Sequence, residues 1–526
     1  MASQPSFEMG LGSYSIPSPT EQPLPYLATV FLFVLLIYAI SDNSAKLPEI
    51  NPLKPFEVSN QRRMNEFIQQ SRDIMLRAKE AFGKNPYKLY SEWGNSVVLP
   101  PEFIHELRSE RRLTFLQPAQ DDSHGYIPGF EPFQGNLDQP KVVTKYLTKA
   151  LTKLTKPLSQ EATLVLRQVL GDSKETITGS HQEWHEIDPK EDIMQVISRL
   201  STRIFMGDEL CRDDEWVRAV ADYTGTAFGV GRELGKYPRW SRPYVHWFLP
   251  SCWKVRSLLA EARKILKPHL ERRSAKKAAA LARGDTQVIF DDSIEWFDKE
   301  YTHKYDPATE QITLSLVAIH TTSDLLQQTM IDLARNPELI KPLREEAVRV
   351  LGAEGLKKTA LYNLKLMDSV IKESQRMKPV MLSTWRRLAY EDVELSNGVV
   401  IRKGQRVLIT NTHMWDSDYH ENPEKYDGYR FLNMRSTDEE KHAHLVSTST
   451  KHPAFGHGQH ACPGRFFAAN EIKIALVHLL LKYDWKLPEG FEPKSMNYGM
   501  VFLPDPSAKF LIRRRKEELD LDSLEC

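Results

Sequence analysis

Cysteine is scarce in this 526-residue chain: Cys211, Cys252, Cys462 and Cys526 are few and widely spaced. That excludes a disulfide framework and fits a reducing compartment. Net charge is lacking too, since 70 Lys and Arg balance 70 Asp and Glu. A nucleic-acid binder would carry a basic excess, so no nucleic-acid partner is expected. There is no zinc-ligand spacing, no phosphate-binding glycine loop and no internal repeat. The first 23 residues lack Lys and Arg, whereas a secretory signal begins with a basic segment. Disorder is excluded in turn by a hydrophobic content of 41%. The length exceeds that of a usual single domain, although some large folds stay undivided.

One long uncharged run is present, from Gln22 to Ser41, with its apolar part at Leu24–Ile40. This is near the lower limit of the roughly 17–25 residues a membrane-spanning helix needs. Lys46, Lys54, Arg62 and Arg63 follow the run. Positive charge on that side places the bulk of the chain in the cytoplasm. The expected organisation is a disordered tail 1–23, a transmembrane anchor 24–41, a linker 42–56 stiffened by Pro48, Pro52 and Pro55, and a catalytic body 57–526. Within the body, 60–82 is helical in pattern and Tyr87–Pro100 is strand-like. Pro140 and Pro157 bracket an amphipathic helix. Its polar side carries Lys141, Lys145, Lys149, Lys153 and Lys156, either a solvated face or a docking stripe for an acidic protein. Arg272, Arg273, Lys276, Lys277, Arg283 and the run Arg513–Lys516 read as solvated surface.

The most specific stretch is Phe455-Gly456-His457-Gly458-Gln459-His460-Ala461-Cys462-Pro463-Gly464. Its glycines let a backbone wrap closely around one sulfur. A helical pattern begins right after Cys462, with Pro463 at a first-turn position. A helix N-terminus favours thiolate over thiol, which makes Cys462 a metal ligand or a nucleophile. Phe at Cys minus seven, Gly at minus six and minus four, His at minus two and Gly at plus two resemble the haem loop of cytochrome P-450 monooxygenases. Thiolate-ligated haem is the mark of those enzymes.

Three further elements resemble the family, in its order. Val317-Ala318-Ile319-His320-Thr321-Thr322 lies in a helix that Asp306-Pro307 starts and Pro337 must end. It is similar to the oxygen-binding segment, where Ala318 leaves space and Thr321 holds water or a hydroxyl. His320 stands where the family usually has an acid. It is either a proton carrier or a packing residue, and Thr321 itself either serves oxygen activation or bonds back to its own turn. Glu373 and Arg376 share one helix face and resemble the Glu-x-x-Arg pair. Arg430-Phe431 completes a triad expected to be structural, with Gly428 in place of a common proline. Arg387 and His460 stand at the positions where members bind the haem propionates, with Arg386 as the alternative to Arg387.

The stretch Ile193–Trp216 is similar to the fungal microsomal branch typified by ent-kaurene oxidase, which includes oxygenases of indole-diterpene, meroterpenoid and ergot-alkaloid pathways. The resemblance implies a mainly α fold with a smaller β region, and haem b held by Cys462 between the central helix and the cysteine loop. Phe455, Gly456, Gly458, His460, Gly464 and Arg387 would form the cofactor site, and Ala318, His320 and Thr321 the catalytic face. It implies O2, an apolar substrate, membrane lipid and NADPH-cytochrome P-450 reductase as partners, the last received at Lys141, Lys145, Lys149 and Lys153. It also implies an endoplasmic reticulum membrane location. The aromatic-rich region 217–262 would roof the pocket, or else serve as core or meet the bilayer. Two rivals remain open at this point: a haem-thiolate isomerase or dehydratase needing no oxygen, and a non-catalytic haem or lipid binder.

Overall fold

The computed structural model describes residues 23–40, 47–171, 183–285 and 290–525. The expected tail up to residue 22, the start of the linker and Cys526 therefore lie outside the described residues.

Helices dominate. The central helix is Pro307–Arg335, 29 residues, and Asp306 caps it by accepting from the Ala308 N–H. It packs against helices Pro189–Leu210, Pro250–Ala282, Lys365–Met377 and Arg465–Lys482. The largest hydrophobic core runs through these helices. The smaller β part has a five-stranded sheet in the spatial order Tyr87–Ser91, Gly94–Val98, Arg406–Ile409, Trp385–Ala389, Leu113–Thr114. Its one parallel pairing, Ser96 with Arg406, brings an early strand beside a late one. Strand Phe510–Arg514 lies between His185–Ile187 and Tyr483–Lys486. Two smaller apolar clusters include residues of the five-stranded sheet.

Four expectations need correction. Among the described residues, no helix is long and apolar enough to cross a membrane. The anchor stretch forms helix Pro23–Ile40, whose 18 residues reach about 27 Å, short of a hydrocarbon core of about 30 Å. The helix expected to stop at Pro157 continues to Val169. Proline removes one backbone donor there, but Leu158, Ala162, Val165 and Leu166 extend the buried face beyond it. Arg273 is buried rather than solvated, with both terminal nitrogens on Asp292 at 2.6 and 3.0 Å. In the basic run near the C-terminus Arg513 and Lys516 are exposed, as expected, but Arg514 and Arg515 are half-buried and pair with Glu517 at 3.0 Å and Glu518 at 2.6 Å.

Candidate functional site

The cysteine loop is closed by its own backbone. The Cys462 N–H donates to the Phe455 carbonyl at 2.8 Å. Gly456 and Gly458 take φ of +69° and +79°, which only glycine adopts cheaply. Gly458 has a second constraint, since a Cβ there would lie 2.6 Å from the Arg108 carbonyl oxygen. Gly464 is the residue before the helix Arg465–Lys482, and the N–H groups of Gly464 and Arg465 serve the Cys462 sulfur. The expected lowering of this thiol does not follow. Burial pushes it up, and those two donors with the Arg465 charge oppose the rise only in part.

Beside this loop lies an unpaired buried cation. Arg387 is buried, its guanidinium donates to the Arg386 carbonyl at 2.7 Å, and it forms no ion pair among the described residues. Burial, with Arg386 nearby, pushes it down to about 10. Its guanidinium sits 5.7 Å from the Phe115 ring, and the His460 ring lies 5.9 Å from the same phenyl. Arg386, the alternative, is already held by Asp122 at 3.1 Å. A buried guanidinium beside an imidazole, with no carboxylate of its own, suits an anionic ligand group. Together with one sulfur presented by a glycine-lined loop, this donor set fits haem.

The central helix is buried along most of its length, but Val317 is 52% exposed and Thr321, one turn on, is exposed as well. Ala318 and His320 between them are half-buried. The middle of the helix therefore presents an uncovered face. Thr321 Oγ1 donates back to the Val317 carbonyl at 2.8 Å. The His320 ring meets Phe228 edge-on at 5.3 Å, and Phe228 meets Phe133 at 5.5 Å. Burial lowers His320 below its ordinary range, so the ring is neutral at pH 7 and unsuited to carry a standing positive charge. The aromatic-rich region divides its work. Tyr223 is core, Phe228 packs on His320, and Trp240, Tyr244 and Phe248 are exposed.

The helix Lys365–Met377 acts as a clamp. Glu373 and Arg376 are fully buried, and Arg376 grips both Glu373 oxygens at 2.8 Å each. Arg430 Nε reaches the same two oxygens at 3.1 Å. Arg376 also donates to the carbonyls of Met414 and Pro423 at 2.7 and 2.8 Å. Gly428 fits because a Cβ there would press on Leu339 Cδ1 at 2.8 Å. Two further charged residues of this helix were not singled out from sequence. Asp368 accepts from the Leu445 N–H at 2.8 Å and from Arg435 at 2.7 Å, and it pairs with Lys473 at 2.6 Å. Lys372 is fully buried and donates to three backbone carbonyls. Spacing alone makes Asp368 and Lys372 look like a surface i,i+4 pair, which is why they were missed. Also missed were Asp324, three residues after Thr321 and ion-paired with buried Lys378, and Asp122, which gathers Arg239, Arg386 and Arg406.

The lysine stripe is partly neutralised. Lys141 pairs with Asp138 at 2.7 Å and Lys145 with Glu300 at 2.6 Å. Lys149, Lys153 and Lys156 are exposed.

A thiol-bearing loop beside a buried, unpaired guanidinium, a long helix uncovered at its middle and a charge-clamped helix define a haem-thiolate enzyme. The family model for cytochrome P450 matches residues 117–512, and the chain belongs to that family. Haem b is accordingly its cofactor, and it is an oxidoreductase of the monooxygenase kind. Cytochrome P450 monooxygenase eqxH of Fusarium heterosporum is 54% identical over 502 residues, covering 94% of this chain and 96% of that protein. Cytochrome P450 monooxygenase hepE of Aspergillus oryzae is 42% identical over 482 residues, covering 90% and 86%. Cytochrome P450 monooxygenase ptmU of Penicillium ochrochloron is 41% identical over 499 residues, covering 93% and 96%.

Proposed function

We propose that this chain hydroxylates or further oxidises an apolar secondary metabolite of terpenoid, indole-diterpene, meroterpenoid or alkaloid type. It uses O2 and electrons passed from NADPH by a reductase. The observation that carries the substrate class is the uncovered face at mid-helix: Val317 and Ala318 make it apolar, with Phe228 packed alongside at His320. An apolar substrate gains binding energy there by leaving water.

Cys462 would ligate the haem iron in this reading, and Phe455, Gly456, Gly458 and Gly464 shape the loop that presents it. Arg387 and His460 would hold the two carboxylate groups of the cofactor. Bound haem supplies the oxygen activation. Thr321 turns its hydroxyl from the Val317 carbonyl to hold a proton-bearing water at the uncovered face, while neutral His320 packs on Phe228 beside it. Glu373, Arg376 and Arg430 hold the framework. Among the lysines, Lys149, Lys153 and Lys156 are the ones available to an acidic reductase, with Lys141 and Lys145 already paired.

Membrane attachment belongs to the same reading, with the body 57–526 on the cytoplasmic side of the endoplasmic reticulum. It is supported by Leu24, Leu27, Phe31 and Phe33, exposed on the first helix, and by the exposed ridge Trp240, Tyr244 and Phe248. Deletion of 24–41 is expected to weaken co-flotation with liposomes, and unchanged flotation refutes the attachment.

The first test is the spectrum of the ferrous protein with carbon monoxide. A strongly red-shifted Soret band that disappears in Cys462→Ala is expected, and persistence of the band in that variant overturns the ligand assignment. Thr321→Val should keep the band but divert NADPH electrons into peroxide, and unchanged coupling removes Thr321 from proton supply.

A further inference from the structure

Buried lysines are rare, because the ammonium must be desolvated. Lys372, on the clamp helix, is fully buried and spends its three donors on one short segment: the carbonyls of His442 at 2.7 Å, His444 at 2.6 Å and Ser447 at 3.3 Å. Asp368, one turn earlier, takes the Leu445 N–H from the same segment at 2.8 Å. The helix thus grips residues 442–447 by donors and acceptors at once. The triad grips a different stretch, through Arg430 and the carbonyls of Met414 and Pro423.

The gripped segment leads to the sulfur. Inside it, the Val446 carbonyl accepts from Arg465 Nε at 3.1 Å, and Arg465 Nη1 donates to the Cys462 carbonyl at 2.8 Å. The Cys462 N–H is fixed separately by Phe455. The peptide group on the carboxyl side of Cys462 therefore takes its position from Arg465, and Arg465 from a segment that Lys372 immobilises.

We propose that Lys372 and Arg465 form a tether that positions the Cys462 sulfur for the iron. They are positioning residues: neither side chain touches the reacting atoms, and the Arg465 backbone N–H that serves the Cys462 sulfur is kept when its side chain is changed. The proposal rests on the reading of Cys462 as axial ligand. Without the ammonium, three carbonyls lose their shared donor and the segment drifts. Arg465 then loses the Val446 carbonyl, and the cysteine backbone is no longer held from that side.

The experiment uses the full-length haem-loaded protein. The ferrous carbon monoxide complex is followed for loss of its red-shifted Soret band at fixed temperature, and the reduction potential is measured alongside. Lys372→Met and Arg465→Met are each expected to speed loss of the band by about ten-fold and to shift the potential. The double variant should decay no faster than the faster single, because both act in one chain of contacts. Arg273→Met, distant from the tether, should lower stability without changing either readout. Lys372→Met decaying at the wild-type rate overturns the proposal. So does a double variant whose acceleration is the product of the two singles. If Lys372→Met yields no folded protein, Arg465→Met decides alone, a wild-type rate again refuting the tether. A red-shifted band that survives Cys462→Ala would instead overturn the ligand reading beneath it, a result the tether variants do not mimic.

Discussion

Glu471 lies on the helix that follows the cysteine loop and is fully buried there. Ser201 Oγ donates to one carboxyl oxygen at 2.7 Å, and the other oxygen has no partner among the described residues. Burial pushes this carboxyl from 4.5 up to about 8. The sign follows from proton counting. Between those two values the unfolded chain releases the proton and the folded chain keeps it, so stability falls as pH rises across that window. The contribution is whole below about 4.5 and lost by about 8. Linkage puts the fall between pH 5 and pH 7 at about 2–3 kcal/mol. Glu471→Gln keeps the acceptor for Ser201 and cannot ionise. Denaturant midpoints at pH 5 and pH 7, read by tryptophan fluorescence, should therefore show a variant that gains on wild type as pH rises. Other buried carboxyls, such as Glu92 and Asp332, contribute slope to both proteins and cancel in the comparison. Parallel pH dependence of the two midpoints would refute the reasoning.

Arg387→Met should speed transfer of haem to a scavenger apoprotein by about ten-fold, for want of the buried cation beside the cofactor's acid groups, while Arg386→Met leaves that rate near wild type; equal rates for the two would reverse the assignment. Gly428→Ala should cost about 1–3 kcal/mol by forcing Leu339 and Val370 aside, seen as a lower unfolding midpoint. Arg273→Met leaves the Asp292 carboxylate buried without its main partner and should cost about 3–5 kcal/mol, whereas Arg272→Ala, an exposed partner of Glu209, should change stability by under about 1 kcal/mol.

What the sequence disclosed depended on how local its signals were. The bounds of the central helix were legible because Asp306-Pro307 and Pro337 are adjacent punctuation. The triad was legible because Glu373 and Arg376 share a turn and Arg430 sits beside a recognisable aromatic. The cysteine loop was legible from its resemblance to a family pattern, with Phe455, three glycines and His460 at fixed spacings around Cys462. Asp122 was not, because its arginines at 239, 386 and 406 arrive from three distant segments and the aspartate sits in an unremarked short helix. Burial of Lys372 was hidden for a different reason: its partners are backbone carbonyls, which no residue type announces. Pro157 misled because a proline's local penalty was weighed without the apolar face that continues past it. Thr321 shows the remaining limit, since its geometry in the fold is the back-bonded one and the spacing fits both states equally.

The clamp helix also bears on how the chain is made. Asp368, Lys372, Glu373 and Arg376 are charged side chains whose partners beyond their own helix all come later, from Met414 onward. Cys462 leaves the ribosome 86 residues after Arg376 (462 minus 376), about 4–17 s at ordinary translation rates. During that interval the helix has its apolar face but not the loops that will cover its charges. Those charges are then hydrated, and they keep a half-made protein soluble while it waits for its last third. The groups that are costly to bury in the finished enzyme thus shield the nascent one, and a chain that stalls before the cysteine loop is left with a polar helix in place of an exposed apolar edge.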